Sequence, residues 1–490
     1  MIRTILILGL VFGAVAHGHE RDVPCPPELA KAREEIVDAV DKGLTPGVSA
    51  VIVKNGRVIW AEGFGFANIE RKIPAHSDTI YLQASVSKPL TATGLMILVD
   101  KGKIDLDKPA NAYLPGEKLR AYLGNADDMT VRRLANHTSG MPTHYNFFYD
   151  GVAPPSMDET IRRYGFASMP PGTEWNYSNL AFGVLNYVTE VVGGQPWGAF
   201  MEEHLYDPLG MLGTSDHVRA ERFSDAAEIY THNAGQQFVP VAHYEFDHPG
   251  ASAIWASAHD LARFCQMHVN GGDLDGVRVL SPEAAREMIT VRHETDTEGY
   301  GTGVGWGVGV DREHRFISHG GGMPGVRTQM RAYPDDSLVI IVLSNSDTNN
   351  VVSSVMTLVA ETILGLDKKK SAKTPDEQKP DAKEFQGKWK GRIAHFNGDI
   401  PLTLTIKDAE TVLAVFGRSG STKLDNPVFG KSLAGTTGEI HIPVQDGFHG
   451  RVEGSFNLRL TPPNRLTGTL FASASGYFGV SFWVDLSRAK

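Results

Sequence analysis

A serine and a lysine stand three positions apart in the run Tyr81-Leu82-Gln83-Ala84-Ser85-Val86-Ser87-Lys88, at Ser85 and Lys88. On a helix, positions i and i+3 share one face with Cβ atoms about 5–6 Å apart, so hydroxyl and amine can share a hydrogen bond if that face lines a pocket. A serine hydroxyl is a weak nucleophile until a base takes its proton. A lysine is such a base only when burial or a neighbouring cation lowers its pKa from about 10.4. The first turn of a buried helix supplies partial desolvation and a positive dipole end, and its free N–H groups can help to hold an oxyanion. The chemistry this pair could do is acyl transfer to Ser85. The pattern is weak by itself, since Ser487 and Lys490 repeat it at the end of the chain with no helix after them.

Two further segments carry groups that fit this chemistry. Pro170 to Asn179 is a polar, turn-rich loop before an amphipathic stretch, Leu180 to Val192, and holds the only Tyr-x-Asn of the chain, Tyr177 and Asn179. A tyrosine hydroxyl on such a loop can carry a proton, and an asparagine amide can bind an acyl chain or hold the lysine. Ser318-His319-Gly320-Gly321-Gly322-Met323-Pro324-Gly325 lies between two stretches read as strands. Glycines at a strand edge let a substrate approach and leave an N–H free, at Gly322 in particular, to point at a developing oxyanion. His-x-Gly also occurs at His248-Pro249-Gly250, but in a turn, so His319 is preferred. His137, in Asn136-His137-Thr138-Ser139-Gly140, is read as a histidine bonded to local backbone to fix a helix end rather than as a triad member.

The elements that must position these groups follow from periodicity. Val86, Leu90, Leu95, Met96, Leu98 and Val99 recur at helical offsets up to Asp100, which predicts a helix starting at Ser85; Pro89 then falls in its first turn, where a missing N–H costs little. Pro26 to Gly43 has helical spacing. Gly47 to Ile52 and Val58 to Gly65 alternate like strands around the turn Lys54-Asn55-Gly56. Ala253 to Gln266 reads as a helix. Gly305 to Val310, Phe316 to Ser318, Arg327 to Tyr333 and Leu338 to Ser344 read as strands of one antiparallel sheet, the last nearly all apolar and so central, and Val351 to Leu364 as a closing helix.

Asp367 to Glu384 has eleven charged residues in eighteen and no aromatics, the composition of a solvated linker. Beyond it, Asn397-Gly398 marks a hairpin. Alternating runs at Leu402 to Ile406, Glu439 to Val444, Val452 to Leu460, Arg465 to Ala472 and Tyr477 to Val484 predict a small antiparallel barrel or sandwich.

At 490 residues, two domains are expected. Residues 1–16 read as a secretory leader, with a basic start at Arg3, an apolar run to Ala16 and a small-residue ending. An exported protein, periplasmic or secreted, is expected, with no membrane span once the leader is cleaved. The boundaries are then 1–16 for the leader, 17–366 for the domain bearing Ser85, 367–384 for the linker and 385–490 for the C-terminal β domain. The net charge of −10 offers nothing to nucleic acid or anionic lipid. Cys25 and Cys265 could form one disulfide after export, though nothing in the sequence shows that they meet.

With Ser-x-x-Lys, Tyr-x-Asn and His-x-Gly in that order and context, the chain resembles the class C β-lactamase and D-alanyl-D-alanine carboxypeptidase family of serine hydrolases, which includes related esterases and D-aminopeptidases. The resemblance spans about Pro26 to Leu364 and includes Asn136 to Gly140 and Leu205-Tyr206-Asp207-Pro208-Leu209-Gly210-Met211. It implies an α+β fold, an antiparallel sheet flanked by helices plus a helical subdomain, with the site between them. It also implies Ser85 as nucleophile, Lys88 and Tyr177 sharing the acid and base work, Asn179 binding substrate, and the N–H groups of Ser85 and Gly322 as oxyanion hole. His319, Gly320 and Gly321 would border the substrate. No metal or cofactor is expected; the partner is a small-molecule or peptide substrate, and the oligomeric state is left open.

One departure bears on the substrate. Antibiotic-hydrolysing members have Lys-Thr-Gly where this chain has His319-Gly320-Gly321, and a histidine is mostly neutral at pH 7. A small ester or a D-amino peptide is therefore favoured over a β-lactam or a peptidoglycan peptide. Arg327 could replace the missing charge, although a strand arginine is usually just solvated. No Gly-x-Ser-x-Gly, His-Glu-x-x-His or phosphate-cradling glycine loop occurs. The alternative of another class is a penicillin-binding-like protein that acylates without turnover, its C-terminal domain doing the binding. That domain is expected to affect stability or partner choice more than chemistry.

Overall fold

The computed structural model describes residues 22–149, 151–217, 225–233, 235–295, 297, 299–347, 350–366, 382–417, 419–444, 448, 450–461 and 464–489. The expected leader lies outside the described residues. So does most of the expected linker, of which Ala382–Glu384 forms a short 3-10 turn.

The first strand, Gly47–Lys54, is central because both faces of its pleat are apolar. Val48, Ala50 and Ile52 point to one side with Ile340, Val342, Val355 and Val359; Val51 and Val53 point to the other with Ile341, Leu343, Leu261 and Phe264. It pairs antiparallel with Leu338–Ser344 and with Arg57–Asn68, so the beginning and end of this part of the chain meet in one sheet. Nine strands result, in the order His293–Glu294, Tyr300–Thr302, Gly307–Asp311, His314–Met323, Val326–Tyr333, Leu338–Ser344, Gly47–Lys54, Arg57–Asn68, Ile73–Pro74. The helices Ala30–Asp41 and Val351–Leu364 cover one face. Ala258–Val269 packs on the other, beside the helical part that contains Ser87–Asp100 and Asn179–Gly193.

Three local readings change. The helix after the serine starts at Ser87, and Ser85 sits in a 3-10 turn, Ala84–Val86. Ala84 has φ +50°, a left-handed conformation that disfavours a continuous helix through Ser85. The helix expected from Ala253 starts at Ala258, because Trp255–Ser257 is drawn into a short ladder with Ile80–Leu82. The glycines after His319 are not between strands but in one, His314–Met323, paired with Val326–Tyr333 through Met323↔Val326. Pairing to the preceding strand stops at Ser318, so residues 319–323 keep one edge open.

The C-terminal part is a barrel, not a sandwich. Gly387–Ala394, Ile400–Ile406, Val412–Phe416, Ser421–Phe429, Leu433–Ile440, Val452–Thr461, Arg465–Ala474 and Phe478–Arg488 pair in sequence, and the last pairs with the first. The first, third and fourth strands are not legible as strands, and the run Glu439 to Val444 meets the fifth only at Glu439 and Ile440, residues 441–444 lying past its end. The last strand also pairs with Tyr145–Tyr149 at Phe478↔Asn146 and Gly479↔Tyr145, which ties the barrel to the sheet edge Tyr244–Phe246. Gly479 is required there, since a Cβ would collide with the Tyr145 and Phe471 rings. Cys25 and Cys265 are free thiols, the latter buried against Met330. Among the described residues no helix is long and apolar enough to cross a membrane.

Candidate functional site

Ser85 is held by the turn before it. Gln83 donates Nε2 to the carbonyls of Tyr81 and Ala256, its N–H bonds to Ile254 O, and its carbonyl accepts from Thr328 Oγ1. Gly321 makes this clamp possible: a side chain there would collide with Thr328 Oγ1 and Gln83 O. The 319–323 strand thereby lies against the serine turn.

Lys88, on the first turn of the Ser87–Asp100 helix, is fully buried. Its Nζ lies 2.7 Å from Asn179 Oδ1, 3.1 Å from Ala251 O and 3.0 Å from Ser85 Oγ. The first two are carbonyl oxygens and can only accept, so they take two N–H bonds. Burial pushes the lysine well below its usual value, which favours the neutral amine. The third direction is then the lone pair, and it faces the serine hydroxyl. Tyr177 closes the arrangement by donating its O–H to Ser85 Oγ at 2.8 Å. Burial holds this phenol well above the ordinary tyrosine range despite the opposing bond to Ser85. It stays a donor at neutral pH.

Asn179 is fixed at its other end by Nδ2 donating to His144 O at 2.7 Å. The Tyr177 loop is seated by His137, which accepts the Ser178 N–H at Nδ1 (3.2 Å), accepts the Asn176 N–H at its carbonyl (2.8 Å) and lays its ring on Tyr177 with centroids 4.4 Å apart. His137 does fix a helix end, but that of the helix beginning at Asn179, distant in sequence rather than local.

Ser85, Asn179 and Gly322 border one cavity of about 250 Å³, walled by Tyr145, Phe147, His248, Ser252, Met323, Pro324 and Gly476. His319, Gly320, Gly321 and Arg327 are not among its lining residues. His319 is half-buried, its Nδ1 donates to Gly320 O at 2.9 Å, and burial pushes its pKa down to about 3, so it offers no cation. Arg327 is not simply solvated: it is partly buried, donates to Asp347 O at 3.1 Å and runs beside Gly322. Several wall residues were invisible in the sequence reading. Tyr145 and Phe147 come from a short strand that exists only by pairing with the barrel and with Tyr244–Phe246, and Gly476 belongs to the barrel turn itself, tied to Tyr149 through its carbonyl. The barrel therefore contributes Gly476 to the cavity wall and supports the Tyr145–Tyr149 strand beside it.

The family model described as Beta-lactamase matches residues 32–361. Penicillin-binding protein 4* of Bacillus subtilis (strain 168) is 26% identical over 340 residues, covering 64% of this chain and 72% of that protein. Esterase EstB of Burkholderia gladioli is 30% identical over 302 residues, covering 54% of this chain and 74% of that protein. The octameric penicillin-binding protein homologue from Pyrococcus abyssi superimposes with a TM-score of 0.61 at 22% identity, over 93% of this chain and all of that one, a likeness of fold that spans both the sheet and the barrel.

Proposed function

The chain belongs to the beta-lactamase family of serine hydrolases, whose members include esterases, peptidases and penicillin-binding proteins, and from that premise we propose that it hydrolyses an ester or amide through an acyl-enzyme on Ser85. The observation that carries the reading is the convergence of Lys88 Nζ and Tyr177 Oη on Ser85 Oγ, at 3.0 and 2.8 Å, from segments far apart in the chain.

In this reading the Lys88 amine takes the Ser85 proton as Oγ bonds to the substrate carbonyl carbon. The resulting oxyanion lies between the N–H groups of Ser85 and Gly322; losing one such donor costs about 10²–10³ in rate. Tyr177 gives a proton to the leaving group and regains one from Lys88, so the amine is restored and the acyl-serine remains. Asn179 keeps the amine aimed by taking one of its N–H bonds.

The cavity favours a small ester or short acyl amide. Tyr145, Phe147, Met323 and Pro324 form the apolar part of its wall, and the neutral His319, outside that wall, brings no cation to it. A β-lactam or D-alanyl peptide would need its carboxylate held, and Arg327 beside Gly322 is the observation in favour of that second reading. The test is hydrolysis of p-nitrophenyl acetate and nitrocefin by wild type and Ser85→Ala. Turnover of the acetate that disappears in the variant supports the proposal. Equal rates would refute it, and stoichiometric acylation without turnover would replace it with the binding-protein alternative.

A further inference from the structure

Asp247 is enclosed beside the cavity, and three side chains donate to its carboxylate. His144 Nε2 approaches Oδ1 at 3.0 Å, Asn146 Nδ2 approaches Oδ2 at 3.1 Å, and His248 Nδ1 approaches Oδ1 at 2.7 Å. Burial by itself would raise this carboxyl, but His144 and His248 more than offset that and keep it ionised. With its proton on Nδ1, the His248 ring has Nε2 left as an acceptor, and among the described residues no hydrogen bond is made to it. His248 borders the same cavity as Ser85, Asn179 and Gly322.

Once Ser85 is acylated, the Lys88 amine still gives two N–H bonds to Asn179 and Ala251, and its lone pair faces an ester oxygen rather than a hydroxyl. Hydrolytic water must come from the cavity side, and His248 is a base on that side. We propose that His248, oriented by Asp247, is the general base of deacylation, an assignment that rests on the acyl-enzyme reading above. The water oxygen bonds to the acyl carbon while one of its protons passes to His248 Nε2, and Asp247 holds the imidazolium. On collapse the bond from carbon to Ser85 Oγ breaks, and Oγ takes the Tyr177 proton. The imidazolium proton returns to the phenolate through the cavity solvent, so one water enters and one carboxylic acid leaves. His248 is a catalytic residue in this scheme and Asp247 a positioning residue.

The test is pre-steady-state hydrolysis of p-nitrophenyl acetate by wild type, Ser85→Ala, His248→Gln and Asp247→Asn, each with intact-mass detection of acetyl-enzyme. If deacylation needs His248, the His248→Gln variant releases a burst of about one nitrophenolate per enzyme and accumulates acetyl-enzyme. Its kcat and KM then fall together by about 10²-fold or more, leaving kcat/KM, which reports acylation, nearly unchanged. Asp247→Asn shows the same pattern to a smaller degree. The intact burst also demonstrates that a variant is folded. A fall in kcat/KM without acetyl-enzyme in both variants would overturn the proposal and leave the cluster as a pin for the short helix Pro249–Ser252 that holds Ala251. Unchanged turnover would overturn it as well. Loss of wild-type deacylation on dialysis against EDTA, restored by zinc, would overturn it in favour of a metal held by His144, Asp247 and His248, whose ligand atoms lie within 4.8 Å of one another. Activity retained in Ser85→Ala would instead defeat the acyl-enzyme reading.

Discussion

Asn179 Oδ1 stands 2.7 Å from Lys88 Nζ, and because its Nδ2 is bonded to His144 O the amide cannot turn over to present nitrogen to the lysine. Asn179→Asp keeps the shape but puts a carboxylate beside the amine, which favours the ammonium form, and also sets an oxygen against His144 O. The expected result is a fall in kcat/KM of about 10²-fold or more for p-nitrophenyl acetate, larger than for Asn179→Ala.

The depressed Lys88 pKa makes a signed statement about stability. Because the folded value lies below the usual 10.5, the unfolded chain binds more protons between the two values, and stability rises with pH across that window. Lys88→Met has no such proton. The melting temperature of wild type relative to Lys88→Met is therefore expected to climb from pH 7 toward pH 10, while the variant stays inactive throughout. Thermal denaturation at a series of pH values checks this. On the activity side, kcat/KM rises with pH as the amine forms, and Tyr177 imposes no alkaline fall below pH 10, since its phenol is raised from 10.0.

His137→Phe retains a ring against Tyr177 but leaves the buried Ser178 N–H without its acceptor. A loss of about 1–3 kcal/mol in stability is expected, together with a lower kcat as the Tyr177 loop loosens. Urea unfolding and steady-state kinetics on the same preparation separate the two effects.

Gly476 has φ +78° and open space where a Cβ would project, so Asn is the substitution its backbone accepts best. Gly476→Asn adds a side chain to the cavity wall from the barrel side. The ratio of kcat/KM for p-nitrophenyl acetate over the octanoate is expected to rise about tenfold, with the melting temperature little changed. Breaking the exposed ion pair between Glu174 and Arg459, which also joins the two parts, is expected to cost no more than about 1 kcal/mol and leave this ratio alone.

Much of this site was readable because its parts are local patterns. Ser85 and Lys88 share a face whether the helix begins at 85 or at 87, so the pair survives an error in the helix start. The Leu338–Ser344 strand showed its burial in an unbroken apolar run. What escaped depends on distant pairing. Gly320 to Gly322 are poor strand residues, and they are extended because Arg327 to Gln329 lie opposite them. The Tyr145–Tyr149 strand is short and is made by the barrel's last strand, more than 300 residues later. His248 reads in the sequence as a turn histidine, and only the fold puts the Asp247 carboxylate on its Nδ1 at the cavity edge.

Acyl transfer to Ser85 requires a covalent intermediate on one oxygen atom. Rapid quench of wild type with p-nitrophenyl acetate, followed by peptide mass analysis, is expected to find an acetyl group on the peptide containing Ser85, formed at a rate no slower than turnover and absent in Ser85→Ala. Turnover with no acetyl group on that peptide at any time, or an acetyl group on another residue that forms as fast as turnover, would contradict the account.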